Sequence, residues 1–381
     1  MFWILGGDAL VHAIHRTWKN DFTDAIATQF DHCAWEGFHF YDLIFPLFVF
    51  IAGVSQVFSL NKIIEKEGRS AAVMRLLRRC VLLMLLGILY YGGLADGWEH
   101  VRLLGVLQRI GLASTFAGLL YCFYNTRGLI LACLTLLIGY WALLTFVPIR
   151  DIKLEKNALK TLTAEKGIAD ERQLFEQTPA TLTGSYEPGR NLTNHFDYQY
   201  LPLRKWNTYY DPEGILSTLP AIATCLLGIF AGLLLHGKEM TPNKKCLTLL
   251  LGGALAIGLG YLWGQQFPVI KNIWTSTFVL VAGGWSAILL GVFYWSVDIR
   301  GWKAWTVPFI WIGMNAITIY LSETFINYQG LAKRIIGGPI SKALDVYLAN
   351  GAGGVAVAAF ALGIIFLFTW YLYRKQIFLR V

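Results

Sequence analysis

The sequence predicts an all-α fold, a polytopic helix bundle integral to a membrane, with about ten spans and one long external loop. Three observations carry this expectation. Of the 381 residues, 56% are hydrophobic and only 15% charged, against roughly 25% charged in soluble domains. Mean hydropathy is +0.51. Apolar runs recur along the whole chain, many near the roughly 20 residues that carry a helix across about 30 Å of hydrocarbon.

In chain order the runs are residues 1–15, 43–60, 80–94, 103–124, 128–148, 215–236, 246–263, 273–297, 305–325 and 354–373. They are apolar on both parities rather than alternating, which argues against a β-barrel. The first run lacks a basic leader and a small-residue cleavage site, so it does not read as a signal peptide. It is short before Arg16, and the first span is expected to be truncated at its N-terminus. A short tilted or interfacial helix is the other reading. The six cysteines, Cys33, Cys80, Cys122, Cys133, Cys225 and Cys246, are scattered without a CxxC pair, so neither a disulfide framework nor a zinc site is indicated.

A net charge of +8 could suggest nucleic acid, but the basic residues sit in connections flanking the runs, where anionic lipid attracts them. The connection after the second run is the most basic, with Lys62, Lys66, Arg69, Arg75, Arg78 and Arg79. It is expected to be cytoplasmic. Arg127, Lys238, Lys244, Lys245, Arg300, Lys303, Arg374, Lys375 and Arg380 fall on the same side. The opposite face takes residues 17–41, the turn near Trp98, the polar loop of about 149–213 and residues 327–353. That loop contains Asn191-Leu192-Thr193, a glycosylation sequon in a eukaryotic secretory setting alone.

Ionisable groups at membrane depth are costly, which makes them functional candidates. His32 precedes Asp42 by ten residues at the mouth of the second run. An imidazole can take a proton from an amine or attack a thioester, and a carboxylate can hold its tautomer. Equally, His32 and His39 could be interfacial loop residues and Asp42 a helix cap. Arg102, Gln108 and Arg109 enter the fourth run. A buried arginine there could grip a phosphate or carboxylate bidentately, or tie to Asp8 or another acid of the protein. Asp211 and Glu213 flank Pro212 where the sixth run opens, a pattern that helix capping alone explains. Asn315 and Glu323 in the ninth run could line a cavity or bond between helices.

At these clusters the chain resembles the heparan-α-glucosaminide N-acetyltransferase family nearly end to end. The motifs are His32-x-x-Trp35-x-Gly37 with Asp42-Leu43-x-Phe45-Pro46, Arg102-x-x-Gly105-Val106-Leu107-Gln108-Arg109, and Tyr210-Asp211-Pro212-Glu213-Gly214. Lys271-Asn272-x-Trp274, Gly313-Met314-Asn315 and Tyr373-Arg374-Lys375 continue them. The resemblance implies one transmembrane acyltransferase domain over residues 1–381. It implies an acetyl-CoA-dependent N-acetyltransferase that moves an acetyl group from cytoplasmic acetyl-CoA to the amine of a glucosamine-type sugar on the far side. His32 and Asp42 match the family's active histidine and neighbouring acid, and Asp8 its polar residue in the first span. The family carries an Asp and an Arg-Gly in the lead-in to that span, which this sequence lacks.

The soluble N-terminal region of the lysosomal members is not seen in this sequence, so a relative in the bacterial cytoplasmic membrane is expected, with both termini cytoplasmic. Arg75, Arg78 and Arg79 would meet the CoA phosphates. Arg102, Gln108 or Asn315 would donate to the tetrahedral oxyanion, and Arg109, Asp211 and Glu213 would complete the binding set, with no metal. Expected partners are the lipid bilayer, acetyl-CoA, the amino sugar and, optionally, a second copy as a homodimer; nucleic acid is not among them. The rival classes are a secondary transporter of a sugar or small anion and an O-acyltransferase of envelope polysaccharide.

Overall fold

The structure, a computed structural model, describes residues 1–168 and 170–379, so Arg380 of the basic tail lies outside the described residues. The first half runs α1 (Asp8–Thr17), α2 (Asp21–Gln29), α3 (Phe40–Glu67), α4 (Arg69–Tyr90), α5 (Val106–Phe123) and α6 (Thr126–Phe146). A mixed segment follows with α7 (Lys156–Lys166), α8 (Glu171–Gln177) and α9 (Leu192–Tyr200). Then come α10 (Thr218–His236), α11 (Pro242–Gly264), α12 (Ser276–Phe293), α13 (Val307–Met314), α14 (Ala316–Phe325), α15 (Tyr328–Ile336), α16 (Pro339–Tyr347) and α17 (Ala352–Arg374).

Several starts are written locally. Asn20 and Thr23 form a reciprocal capping box on α2, and the side chains of Asn125, Thr241 and Thr275 cap α6, α11 and α12, each satisfying an otherwise orphaned N–H.

The bundle class is as expected, but ten spans are not found. Among the described residues seven helices are long and apolar enough to cross a membrane, or eight if the bent pair Ala304–Met314 and Ala316–Phe325 is one span. The third expected run is embedded in α4, whose first half carries Arg69, Arg75, Arg78 and Arg79 and so dilutes its hydropathy. The first run is interrupted: Trp3–Gly7 winds as a wide helical turn with Gly6 at φ 121°, and α1 begins only at Asp8. The ninth bends by 63° at Asn315.

The chain divides into two compact units: Met1–His32 with His39–Tyr41 and Ser296–Val381, and Cys33–Phe38 with Asp42–Trp295. In the first, α17 packs against α1, α13, α15 and α16, around Leu5, Ile312, Ile319 and Ile365. In the second, α10 packs against α5, α6 and α12, and α11 against α12, around Val49, Val57, Ala113, Ala117, Ile229 and Phe278.

Small residues set the closest approaches of this second unit. A Cβ on Gly53 of α3 would strike the carbonyl of Cys225, and one on Gly228 of α10 that of Phe50. Gly253 and Gly284 oppose each other's backbone in the same way across α11 and α12. Helices packed in lipid gain stability from such backbone contact, because lipid offers apolar side chains as good a solvent as the protein does.

The polar loop expected over 149–213 is folded. Strands β1 (Ile149–Arg150) and β2 (Ala180–Leu182) pair antiparallel, as do β3 (Tyr186–Glu187) and β4 (Arg190–Asn191). The segment has its own core of Ile152, Leu154, Leu159, Leu174, Phe175 and Tyr209. Asn191 of the sequon is fully buried, and its amide oxygen caps α9 by accepting from Asn194 N.

Candidate functional site

Polar side chains inside the second unit gather where the segment 197–217 meets α5. Arg102, 3% exposed, donates from Nε and Nη2 to the two oxygens of Asp211 at 2.8 and 2.6 Å, and from Nη2 to Glu213 at 2.6 Å. Tyr91 and Trp206 stack on the guanidinium at 4.2 and 4.9 Å. Asp211 also accepts from Trp206 N and Glu213 N. Burial alone would lower the pKa of Arg102, but the hydrogen bond and charge of Asp211, with Glu213, raise it above its ordinary value. Burial raises Glu213 against the pull of Arg109 and Arg102.

Asp197, fully buried, accepts from Asp211 N and Ile215 N, and burial still pushes its carboxyl up to about 7. Its carboxylate lies against Gly214 so closely that any Cβ there would collide with it. The motif Tyr210-Asp211-Pro212-Glu213-Gly214 is therefore more than a helix start: Asp211 binds the buried Arg102, and Gly214 makes room for Asp197.

A little further into α5 the chemistry changes. Arg109 is 1% exposed; its Nη2 donates to Ser217 Oγ and to Gly214 O, and its guanidinium lies 4.9 Å over the Trp274 ring. Its Nε and Nη1, and both side-chain polar atoms of fully buried Gln108, have no partner among the described residues. Gly87 and Gly105 leave the space that the Gln108 amide fills. A buried donor without a partner costs about 1–3 kcal/mol.

The loop carrying the histidine motif is anchored to the second unit by Gly37 N to Val269 O at 2.9 Å and by Trp35 Nε1 to Tyr186 O at 2.8 Å. Asp42 is inside α3 rather than at its cap, and is 1% exposed. Its oxygens accept from Cys33 N at 3.2 Å and Lys271 Nζ at 3.1 Å. Burial lowers the Lys271 pKa, and the charge of Asp42 pulls it back. Lys271 stands in the turn closed by Trp274 N to Lys271 O, with Trp274 at φ 51°. One turn thus holds the partner of Asp42 and the ring beneath Arg109.

His32 belongs to the first unit and Asp42 to the second. His32 is exposed, with its ring 4.8 Å from that of Tyr41. Tyr41 donates its hydroxyl to Asp8 at 2.9 Å. Asn315, 2% exposed, sits at the break between α13 and α14; its Nδ2 reaches Trp311 O at 3.5 Å, and its Oδ1 has no partner among the described residues. On α4, Arg75 and Arg78 are exposed and Arg79 half-buried.

Of the residues singled out from sequence, then, Arg102, Asp211 and Glu213 form one cluster, with Arg109 hydrogen-bonded into the same turn. Lys271, Asp197, Ser217, Tyr91 and Trp206 were not anticipated as site residues. Only Lys271 carried a signal, as part of the motif Lys271-Asn272-x-Trp274.

Fold and site together define a helical membrane protein with a buried, nearly charge-balanced polar cluster. The family model for heparan-alpha-glucosaminide N-acetyltransferase, catalytic, matches residues 9–155, which include His32, Asp42, Arg102 and Arg109. The chain is 29% identical over 396 residues to the heparan-alpha-glucosaminide N-acetyltransferase of Homo sapiens, covering 92% of this chain and 56% of the relative. It is 28% identical over 346 residues to the Mus musculus protein of the same name, covering 78% and 50%. The chain is similar to these N-acetyltransferases over most of its own length, and it spans about half the length of the curated relatives it matches.

Proposed function

We propose that the protein is a membrane acetyltransferase that moves an acetyl group from cytoplasmic acetyl-CoA to the amine of a glucosamine-type sugar on the opposite face. The observation that carries this reading is the resemblance to N-acetyltransferases over 92% of the chain, with His32 and Asp42 inside the matched catalytic model.

In the reaction the amine nitrogen bonds to the thioester carbon, the C–S bond breaks, and CoA leaves as a thiolate. His32 takes the proton that the amine gives up and returns it to the thiolate; in a two-step route it first carries the acetyl group on its own nitrogen. Asp42, ion-paired with Lys271, is the acid of the pair, and Lys271 is its positioning residue. Arg75, Arg78 and Arg79, with their loop on the cytoplasmic side, meet the CoA phosphates.

For the oxyanion role, the hydrogen bonds favour Gln108 and Arg109 over Arg102. Arg102 gives two of its nitrogens to Asp211 and Glu213, whereas Gln108 and Arg109 keep buried donors unpartnered. We assign the developing negative charge to Gln108 and Arg109. In this reading the protein resides in a bacterial cytoplasmic membrane with both termini inside.

The test is His32→Ala in purified protein supplied with acetyl-CoA and glucosamine. Acetyl transfer falls by about 10²–10⁴-fold while the thermal melting profile is retained. Wild-type turnover in the variant overturns the assignment. A transporter would instead move substrate without consuming acetyl-CoA.

A further inference from the structure

The connection between the bent pair α13 and α14 and the last helix, α17, carries exposed apolar and basic side chains that the proposed chemistry does not use. It is built from two nine-residue helices, α15 and α16. At roughly 1.5 Å per residue each is about 14 Å long, less than half of the roughly 30 Å that a span must cover. Neither can cross, and both are tied to helices apolar enough to sit in the bilayer. Tyr328 at the start of α15 is hydrogen-bonded through its hydroxyl to Ser322 of α14 at 2.7 Å. Asp345 near the end of α16 accepts from Gly351 N at 3.1 Å and from Gly353 N at 2.8 Å, where α17 begins. A Cβ on Gly353 would strike Ser341 of α16, so the two helices meet closely there. Two short helices held between the end of one membrane segment and the start of the next lie at the bilayer surface.

Both helices pack against α17, with Tyr328 and Ala332 of α15 buried. Elsewhere large apolar side chains are left bare: Ile335 and Ile340 are exposed, and Val346, Tyr347 and Leu348 are 78%, 84% and 69% exposed. Three consecutive large side chains in that state mark a surface that something other than water covers. Lys333, Arg334 and Lys342 are exposed on the same two helices. Asp345 is the sole acid in the sequence from 326 to 351, and its Oδ1 is committed to the two glycine N–H groups. Long cationic side chains beside an apolar patch suit the headgroup boundary, where the stem follows the acyl chains and the charge meets phosphate. A tyrosine there places its ring among the chains and its hydroxyl among the headgroups.

We propose that α15 and α16 form an in-plane anchor for anionic phospholipid. Val346, Tyr347 and Leu348 enter the boundary between headgroups and acyl chains, while Lys333, Arg334 and Lys342 hold the phosphodiesters and acidic headgroups. Three cations against one committed carboxylate select an anionic over a zwitterionic lipid. The anchor is independent of the acetyltransferase reading, because it uses no residue assigned to that chemistry.

The experiment places a nitrobenzoxadiazole dye at position 347, through Tyr347→Cys in the whole protein, with the partly exposed Cys33 and Cys80 removed by Cys33→Ser and Cys80→Ser. The labelled protein is reconstituted in nanodiscs of phosphatidylcholine alone or of phosphatidylcholine and phosphatidylglycerol in equal parts. Dye emission is read with a nitroxide-bearing lipid as the quencher in the bilayer and acrylamide as the quencher in water. Lipid quenching is expected to exceed acrylamide quenching in both membranes, and phosphatidylglycerol should strengthen it by about twofold or more, as cationic side chains at an anionic surface predict. Lys333→Gln, Arg334→Gln and Lys342→Gln together should abolish that gain while the melting temperature holds.

Acrylamide quenching without lipid quenching puts position 347 in water and overturns the anchor. Lipid quenching that is equal in the two membranes, or that keeps its gain in the triple variant, overturns the selection of anionic lipid by these cations. A dye shielded from both quenchers is covered by protein, a second copy or another part of this chain, and overturns the anchor as well.

Discussion

Arg102 and Arg109 lie seven residues apart and are both almost completely buried, yet they are treated in opposite ways. Arg102 is gripped by two carboxylates and two aromatic rings, and none of its atoms is a buried orphan. Arg109 bonds a hydroxyl and a carbonyl through one nitrogen and leaves the other two unpartnered beside an unpartnered Gln108. A buried charge that is fully paired holds structure together, and its loss exposes the partners it leaves behind. A buried polar group without a protein partner leaves a donor or acceptor open to a water, an ion or a ligand. The first arginine is tied into the structure, and the second keeps donors that the proposed reaction could use.

The sharpest break of that comparison is Arg102→Met. It strands Asp211 and Glu213 in a buried site, and the expected loss is about 3–5 kcal/mol of stability, seen as a large drop in melting temperature and in yield from the membrane. Arg109→Gln comes next. Acetyl transfer should fall by about 10²-fold, worth about 2.7 kcal/mol of transition-state stabilisation, while the melting temperature moves far less than in the Arg102 variant. If the two variants change stability and turnover in the same proportion, the distinction between them is wrong.

Lys271→Met should lower kcat by about tenfold, the value of one hydrogen bond to a charged group. Its distinguishing readout is a split between constants: kcat falls while KM for glucosamine and the melting temperature hold, and Lys271→Arg, which keeps the ion pair with Asp42, restores kcat. A merely structural lysine would lower the melting temperature in step with kcat.

A separate test, read in pH rather than in rate, concerns Asp197. Its folded pKa is raised to about 7 from about 3.9 in an unfolded chain, so the folded state binds the extra proton. Its contribution to stability is fully present below about pH 4 and is lost as pH rises through about 7. Comparing melting temperatures of the wild type and Asp197→Asn across that window should show the wild type falling behind as pH rises. A constant difference between them would contradict the assignment.

How far the sequence reaches is visible in these same residues. Run length and hydropathy are local properties, so the helical membrane class could be read directly. Span count could not, because the basic start of α4 and the bends at Gly6 and Asn315 depend on packing rather than composition. Arg102, Gln108 and Arg109 stood out because charge and amide at membrane depth are rare. Their partners did not, since Arg102 finds Asp211 across 109 residues, and near Pro212 a carboxylate looks like any helix cap. Asp197 sat in a polar stretch where no periodicity or motif distinguishes it. Lys271 was visible as a motif letter, and its bond to Asp42 spans 229 residues.

The most direct measurement encloses acetyl-CoA inside proteoliposomes containing the purified protein and supplies glucosamine outside. N-acetylglucosamine is expected in the outer medium, matched by free CoA thiol within the vesicles. Glucosamine uptake without thiol release, or no product at all, would contradict it.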